Sequence, residues 1–425
     1  MSRIFRAGVS AVDITPETFP VIVSGGFLPK TATTALDPLH ARSLVLDDGE
    51  TRAAITIVDS GMLPREILDE AKSLASRATG IPVERMLIAA THTHAAPSAV
   101  GALGSSEDPV YVRLLPGRIA EAIRRATAAL APACIGWTHV EDWEHTHCRR
   151  WITRPDKMIE DPFGGKVSRA MMHPGYQNPD YVGPAGPVDP DLWLLALRSP
   201  GGRPMALLAN YSMHYFGSLP LSADYYGRFA AGIGDMIGAS RDGPPFVGMM
   251  SQGTSGDLHW MDYSRPKRDT YTIDQYTAEM LQIAASAYAR IQFEEWVPLN
   301  MAETRLTLRR RVPDAARIKW AQDIMAAMGD RQPANKAEVY AREQLLLAQT
   351  PERELRLQAL GLGDVAIAAM PTEAFAITGL KIKAMSPLES TFTITLANGA
   401  EGYVPPVEQH ALGGYVTWPA RTAGL

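Results

Sequence analysis

The sequence predicts a mixed α/β (α+β) chain, a layered β-sheet core flanked by helices with a site at the ends of the strands. Three observations carry this reading. Short apolar runs alternate with stretches of helical spacing, without internal repeats. Several of those runs lack polar alternation, as strands covered on both faces do. No segment has the composition of a linker, so 1–425 reads as one domain.

In chain order, Arg6–Ile14, Ala41–Asp47 and Arg52–Asp59 read as strands, the third closed by Ser60-Gly61. Pro64–Thr79 carries helical spacing at Ile67, Leu68, Ala71, Leu74 and Ala75 and stops at Gly80, which suits a left-handed C-cap. Met86–Ala90 is a further strand, and Ile119–Ala129 a helix with Arg124 and Arg125 on its polar side. Between Trp151 and Pro190 periodicity fades and Pro, Gly, Asp, Asn and Met dominate. This 151–190 stretch is expected to be a loop-rich insertion that builds one wall of a pocket. Strands return at Leu192–Arg198, Met205–Tyr211 and Phe246–Met250. Helices Ile273–Ile291 and Ala315–Met328 flank a strand around Leu306 and Leu308, with Arg309–Arg311 read as its solvated end. The charged stretch Asn335–Leu357 reads as a solvated helix without chemistry. Strand Val365–Met370, helix Glu373–Met385 and strand Phe392–Ala397 follow.

Composition narrows the function classes. Hydrophobic content of 46% with 20% charged residues is that of a soluble globular protein. A net charge of −5 without a Lys/Arg stripe gives no footprint for nucleic acid. Cys134 and Cys148 are the only cysteines, enough for one bridge or two free thiols but not for a disulfide framework or a Cys-based zinc knuckle. No run reaches the ~18 to 20 apolar residues of a transmembrane segment. The N-terminal Met-Ser-Arg-Ile-Phe-Arg leads into the first strand without an apolar signal region. A cytoplasmic location is therefore expected unless a signal has been removed. Oligomeric state has no sequence signal here.

The polar residues able to do chemistry share one kind of address. In MLIAATHTHAAP the strand Met86–Ala90 delivers His92 and His94, two apart and so on one face of an extended chain. They could bind a metal, or divide into ligand and proton carrier, or form a hydrogen-bonded pair in a turn. His214 follows strand Met205–Tyr211, Ser251–Asp257 follows Phe246–Met250, Glu373 follows Val365–Met370, and Asn398, Gly399 and Tyr403 follow Phe392–Ala397. In open α/β sheets ligands collect at the carboxyl ends of strands. Zinc accepts imidazole nitrogen and carboxylate oxygen, so two histidines with Glu373 could form a site, with a tyrosine oxygen as a further ligand. Each residue also has a plainer reading: His214 as a core histidine beside Tyr211 and Tyr215, Glu373 opposing a helix dipole, Tyr403 packed on a sheet. His145 and His147 in EHTHCRR are read as an exposed strand end rather than a second metal site.

The segments AGVSAVDITP, HARSLVLDDG, IVDSGML, ATHTHAAPS, GPVDPDLWLLAL, NYSMHYFG, SQGTSGDL, AMPTEAF and NGAEGYVPP occur in this order along nearly the whole chain. The series resembles the catalytic domain of the neutral/alkaline non-lysosomal ceramidases and their wider bacterial relatives, without the C-terminal β-sandwich domain that ceramidases append. The resemblance implies a zinc amidohydrolase. It implies zinc held by His92, His214, Glu373 and Tyr403, with His94 beside the reacting amide. It also implies Tyr415 in ALGGYVTW and Arg149, or less so Arg150, of CRRW as groups acting on the substrate. Gln252, Asp257 and His259 are expected to contact substrate.

The resulting expectation is Zn2+-dependent hydrolysis of an amide-type C–N bond in a small or amphiphilic N-acyl substrate. An esterase on the same site, or a ligand-binding relative without catalysis, is the alternative; a two-metal phosphatase is disfavoured by the shortage of carboxylates. A lipid amide predicts an apolar trough beside the site, whereas a polar amide predicts charged groups supplied by the insertion.

Overall fold

The structure is a computed structural model that describes residues 3–217, 220–240, 242–268 and 270–425. Strands β1 (Arg6–Asp13), β2 (His40–Asp47), β3 (Arg52–Val58) and β4 (Met86–Ala90) form the first sheet in the order β4-β3-β2-β1, extended past β1 by Ala131–Pro132. Helix α1 (Arg65–Thr79) is the crossover that makes β3 and β4 parallel; α2 (Tyr111–Ala128) lies beside it. The second sheet repeats this plan. Strands β5 (Cys134–Glu141), β6 (Asp191–Arg198), β7 (Pro204–Tyr211) and β8 (Val247–Gln252) run in the order β8-β7-β6-β5, with α3 (Asp224–Met236) crossing between the parallel β7 and β8 and α4 (Ile273–Tyr288) alongside.

Side-chain alternation shows why these strands read as unbroken apolar runs. On β2, Leu44 and Leu46 enter the core between the sheets, while Ala41 and Val45 meet α1 and α2. On β6, Trp193, Leu195 and Leu197 point to the same central core, while Leu192, Leu194 and Ala196 meet α3 and α4. The two sheets therefore stack face to face with helices outside both. Alternate residues of one strand fill different cores, so both faces are apolar.

A third sheet closes one end: β9 (Leu299–Arg309), β10 (Glu352–Leu362), β11 (Val365–Ala369) and β12 (Ser390–Ile394), with α5 (Ala315–Met328) and α6 (Lys336–Ala348) between β9 and β10 and α7 (Ala376–Met385) between β11 and β12. Past β12 the chain threads between the two main sheets. The Thr395 N–H donates to Gln252 O at 3.0 Å, Ala90 N–H to Leu396 O at 3.2 Å, and Asn398 N–H to Ile88 O at 2.8 Å. This segment ties together the ends of β4 and β8, where the site forms.

Several sequence expectations are corrected. Helix α2 begins at Tyr111 rather than Ile119; Pro116 hides its start, which the Asp108 carboxylate anchors by accepting from the Val110 and Tyr111 N–H groups. Asn335–Leu357 is not a solvated helix. It holds α6, whose Val339, Tyr340 and Leu347 are buried, and then the start of β10. Arg310 is not solvated either, for it is buried against Glu401 at 3.2 Å. Residues 151–190 contain short strands, among them Arg150–Thr153, Ala170–Met172 and Tyr181–Pro184 in one three-stranded sheet. His145 is buried: its Nδ1 lies 2.9 Å from Asp142 and its Nε2 2.9 Å from Glu279. Cys134 and Cys148 are both free thiols. Among the described residues no helix is long and apolar enough to cross a membrane.

Candidate metal centre and its cavity

Strand β4 ends at Ala90, and the Thr-His-Thr-His tip is a turn, not a strand continuation. His92 has φ 75°, left-handed backbone that a non-glycine L-residue adopts at a cost of ~1 to 2 kcal/mol. Its N–H donates to Ser60 O at 2.9 Å, and its Nδ1 donates to Gly61 O at 2.6 Å. His92 and His94 thus meet edge to face, ring centroids 4.7 Å apart, through the turn rather than through strand alternation. Gly25 is needed for that placement, since a Cβ there would lie 2.5 Å from His94 Cγ. The other face of His94 stacks on Tyr215 at 3.8 Å.

His214 follows β7 and is fully buried. Its Nδ1 donates to Ser255 O at 3.1 Å, in the loop after β8. Carbonyl oxygens only accept, so the Nδ1 atoms of His92 and His214 carry protons and their Nε2 atoms present lone pairs. Those Nε2 atoms are 2.9 Å apart. His94 Nε2 is 3.3 Å from His92 Nε2. The buried Glu373 places Oε2 3.2 Å from His92 Nε2 and 3.6 Å from His214 Nε2.

Glu373 precedes α7 rather than opening it. It sits in a two-residue parallel pairing, Glu373–Ala374 with Tyr403–Val404, whose register sets Glu373 directly beside Tyr403. The close approach requires Gly256, where a Cβ would lie 2.6 Å from Glu373 O. Arg149 is buried beneath the same point. Its Nη2 donates to Tyr403 Oη at 3.1 Å and Gly256 O at 3.0 Å and lies 3.2 Å from His214 Nε2. Arg150 turns the other way and donates to Gly413 O at 2.6 Å, holding the loop that presents Tyr415.

Electrostatics favours ligand forms. Burial, then the neighbouring His92 and Arg149, pushes His94 well below the usual histidine range. Burial, then Arg149, does the same to His214. Both rings are neutral near pH 7. Burial and Glu373 push the phenols of Tyr403 and Tyr415 upward, keeping them protonated.

Three acceptor atoms, His92 Nε2, His214 Nε2 and Glu373 Oε2, face one another inside the protein and are mutually repulsive without a cation. Their three separations of 2.9, 3.2 and 3.6 Å bracket ~3.3 Å, the edge of a tetrahedron with ~2.0 to 2.1 Å metal–nitrogen bonds. The donor set fits zinc, and the two Nδ1–H···O=C bonds are the supports that metal-binding histidines use.

The cluster forms one wall of a cavity of about 320 Å3. His92, His94, Arg149, Glu373, Tyr403 and Tyr415 line it, brought together from five separate segments of chain. Gln252, Asp257 and His259 are buried but lie behind these groups. Gln252 Nε2 donates to His214 O at 3.3 Å. Asp257 accepts from Ala376 N–H at 2.8 Å, and its backbone O accepts from Arg149 N–H at 2.8 Å. His259 packs edge-on against Tyr215. Sequence reasoning missed Gly25, Phe27, Leu103 and Tyr215, which belong to no periodic pattern; the Gly25-Gly26 pair was the available signal. It also left His173 unassigned, a cavity residue from the 151–190 segment whose backbone has φ 55°.

No protein-family profile matches the chain, and no curated protein matches it in sequence. Solved structures do. Neutral ceramidase from Pseudomonas aeruginosa is similar with a TM-score of 0.68 at 16% identity, over 97% of this chain and 70% of that one. A ceramidase complexed with C2 is similar with a TM-score of 0.70 at 16% identity, over 100% of this chain and 72% of that one. The chain has the fold of these proteins.

Proposed function

We propose that this protein is a zinc-dependent hydrolase that cleaves an amide-type C–N bond of an N-acyl substrate. The observation that carries the reading is the convergence of three imidazoles and the Glu373 carboxylate on one point of a cavity wall. The fold shared with ceramidases supports the choice of an amide over other bonds.

His92, His214 and Glu373 would hold the metal, with Tyr403 beside Glu373 as the further ligand. When bound, zinc polarises the scissile carbonyl and brings the pKa of water to about 7. The remaining roles belong to the chain. His94, neutral and within 3.3 Å of His92, accepts the proton released as water attacks and returns it to the departing nitrogen. Arg149 has no carboxylate within ion-pair distance among the described residues. Its charge is available to the oxygen that turns negative as the carbonyl becomes tetrahedral, and Tyr415 adds a protonated phenol nearby. A donor of this kind contributes ~3 to 4 kcal/mol to such a step. Gln252 and Asp257 act through His214 and Arg149 as positioning residues.

The test separates ligand from proton carrier. Purified protein should contain about one zinc per chain. His92→Ala and Glu373→Ala should lose the metal, whereas His94→Ala should keep it and lose at least a hundredfold in turnover of N-acyl amides. Hydrolysis that survives complete metal removal would refute the reading.

A further inference from the structure

The space around the cluster limits the substrate more narrowly than the bond does. Apart from the polar cluster, the 320 Å3 cavity is walled by Phe27, Met62, Leu103, Met171 and Met172. Two of these, Met171 and Met172, come from the 151–190 segment, which also contributes His173 but no carboxylate, lysine or arginine to the cavity. At ~30 Å3 per non-hydrogen atom, the cavity holds roughly ten such atoms. A palmitoyl group has seventeen.

A longer chain would have to continue outward, and the adjoining space is charged where the inner cavity is not. The cavity shares Met62, Ala102 and Thr422 with an adjoining cleft of about 880 Å3. Arg113, Arg310, Arg353 and Arg421 line that cleft with Glu66, Glu70 and Glu107, interspersed with apolar side chains such as Ile67, Val112 and Leu346. Several of these charges are fixed in place: Arg353 lies 2.9 Å from Glu401, and Arg421 2.7 Å from Glu343. Methylenes laid there would meet charged groups between the apolar ones and gain less from burial than in the inner cavity. A polar, charge-bearing half of a substrate meets both signs of charge there.

We propose that the enzyme acts on short-chain N-acyl amino acids: a compact apolar acyl group of about six to eight carbons in the inner cavity, the amino-acid half in the charged cleft. This rests on the hydrolase reading above. It makes long-chain lipid amides poor substrates despite the shared fold.

Zinc-loaded enzyme would be assayed on N-acylglycines with acyl groups of two to sixteen carbons and on a long-chain ceramide. In parallel, calorimetry would measure binding of octanoate and of palmitate below its micelle concentration. The expected result is a kcat/KM maximum at six to eight carbons and at least a tenfold fall by sixteen. Met171→Ala and Phe27→Ala should each move the maximum at least two carbons longer. Equal or faster turnover of ceramide or N-palmitoylglycine overturns the proposal while leaving the hydrolase standing. If no amide is cleaved yet octanoate binds at least tenfold tighter than palmitate, the cavity's selectivity holds and the hydrolase reading fails. If neither cleavage nor discrimination is found, both fall.

Discussion

His94 owes its position to a glycine that has no chemistry of its own. Gly25 has φ 79°, and its missing Cβ is the space occupied by the imidazole. Gly25→Ala adds both a left-handed strain of ~1 kcal/mol and a contact of 2.5 Å with the ring. His92, His214 and Glu373 do not depend on it. The variant should therefore fold and retain zinc while kcat falls at least tenfold, read by steady-state kinetics beside metal analysis. Unchanged kcat would show that His94 is not held from that side. At this scale the sequence was legible for types and poor for reasons. The pair His92 and His94 stood out, but through an expected strand alternation. What joins the rings is a left-handed turn fixed by Ser60 and Gly61 carbonyls from another strand end. Contacts of that kind link residues distant in sequence, so no local spacing announces them.

Elements were legible where burial is two-sided. Strands β2, β4, β6 and β7 were found almost to the residue, because their apolar runs face a sheet on one side and helices on the other. The short strands of 151–190 were not, since two to four residues in a small sheet carry no period. Helix α6 was misread as solvated because its charges are paired inward, Glu343 with Arg421. The same inward pairing hides a tether. His145, between Asp142 and Glu279, joins the loop leading to Arg149 to helix α4. Burial opposes charge on this ring, but its bonds to Asp142 and then Glu279 outweigh burial and raise its pKa above the ordinary value. The folded state thus holds the proton more tightly than the unfolded chain. The tether's stabilisation is complete below about pH 6.5 and is lost as pH rises through the folded pKa. Wild-type Tm should consequently fall between pH 6 and pH 8 by more than that of His145→Gln. Parallel Tm profiles for the two proteins would remove the tether.

The whole molecule depends on how the third sheet is fastened to the two that stack, and one buried cation lies in that joint. Arg356 of β10 pairs with Asp69 of α1, and Arg65 of α1 reaches Glu354 at 3.3 Å. Between these surface pairs Lys72 of α1 is buried, and its Nζ has no hydrogen-bond partner among the described residues. The sequence offered no warning, because α1 reads as an ordinary amphipathic helix and the sheet it meets lies hundreds of residues downstream. Burial pushes the Lys72 pKa from 10.5 down to about 8, only partly opposed by Glu303 of β9. Its folded pKa is depressed, so below pH 8 both states are charged and burial costs the fold on the order of 3 kcal/mol. Between pH 8 and about 10.4 the unfolded chain binds a proton that the folded one has released, and this cost fades as pH rises. Lys72→Met keeps the aliphatic stem without the charge. It should raise Tm by a few degrees at pH 7, with its advantage over wild type shrinking steadily toward pH 10 in calorimetric scans. An advantage that stayed constant with pH would mean that packing, and not the buried charge, sets the strength of the joint. A loss of stability at pH 7 would mean that attraction to Glu303 exceeds the burial cost, and that Lys72 is a clasp between the sheets.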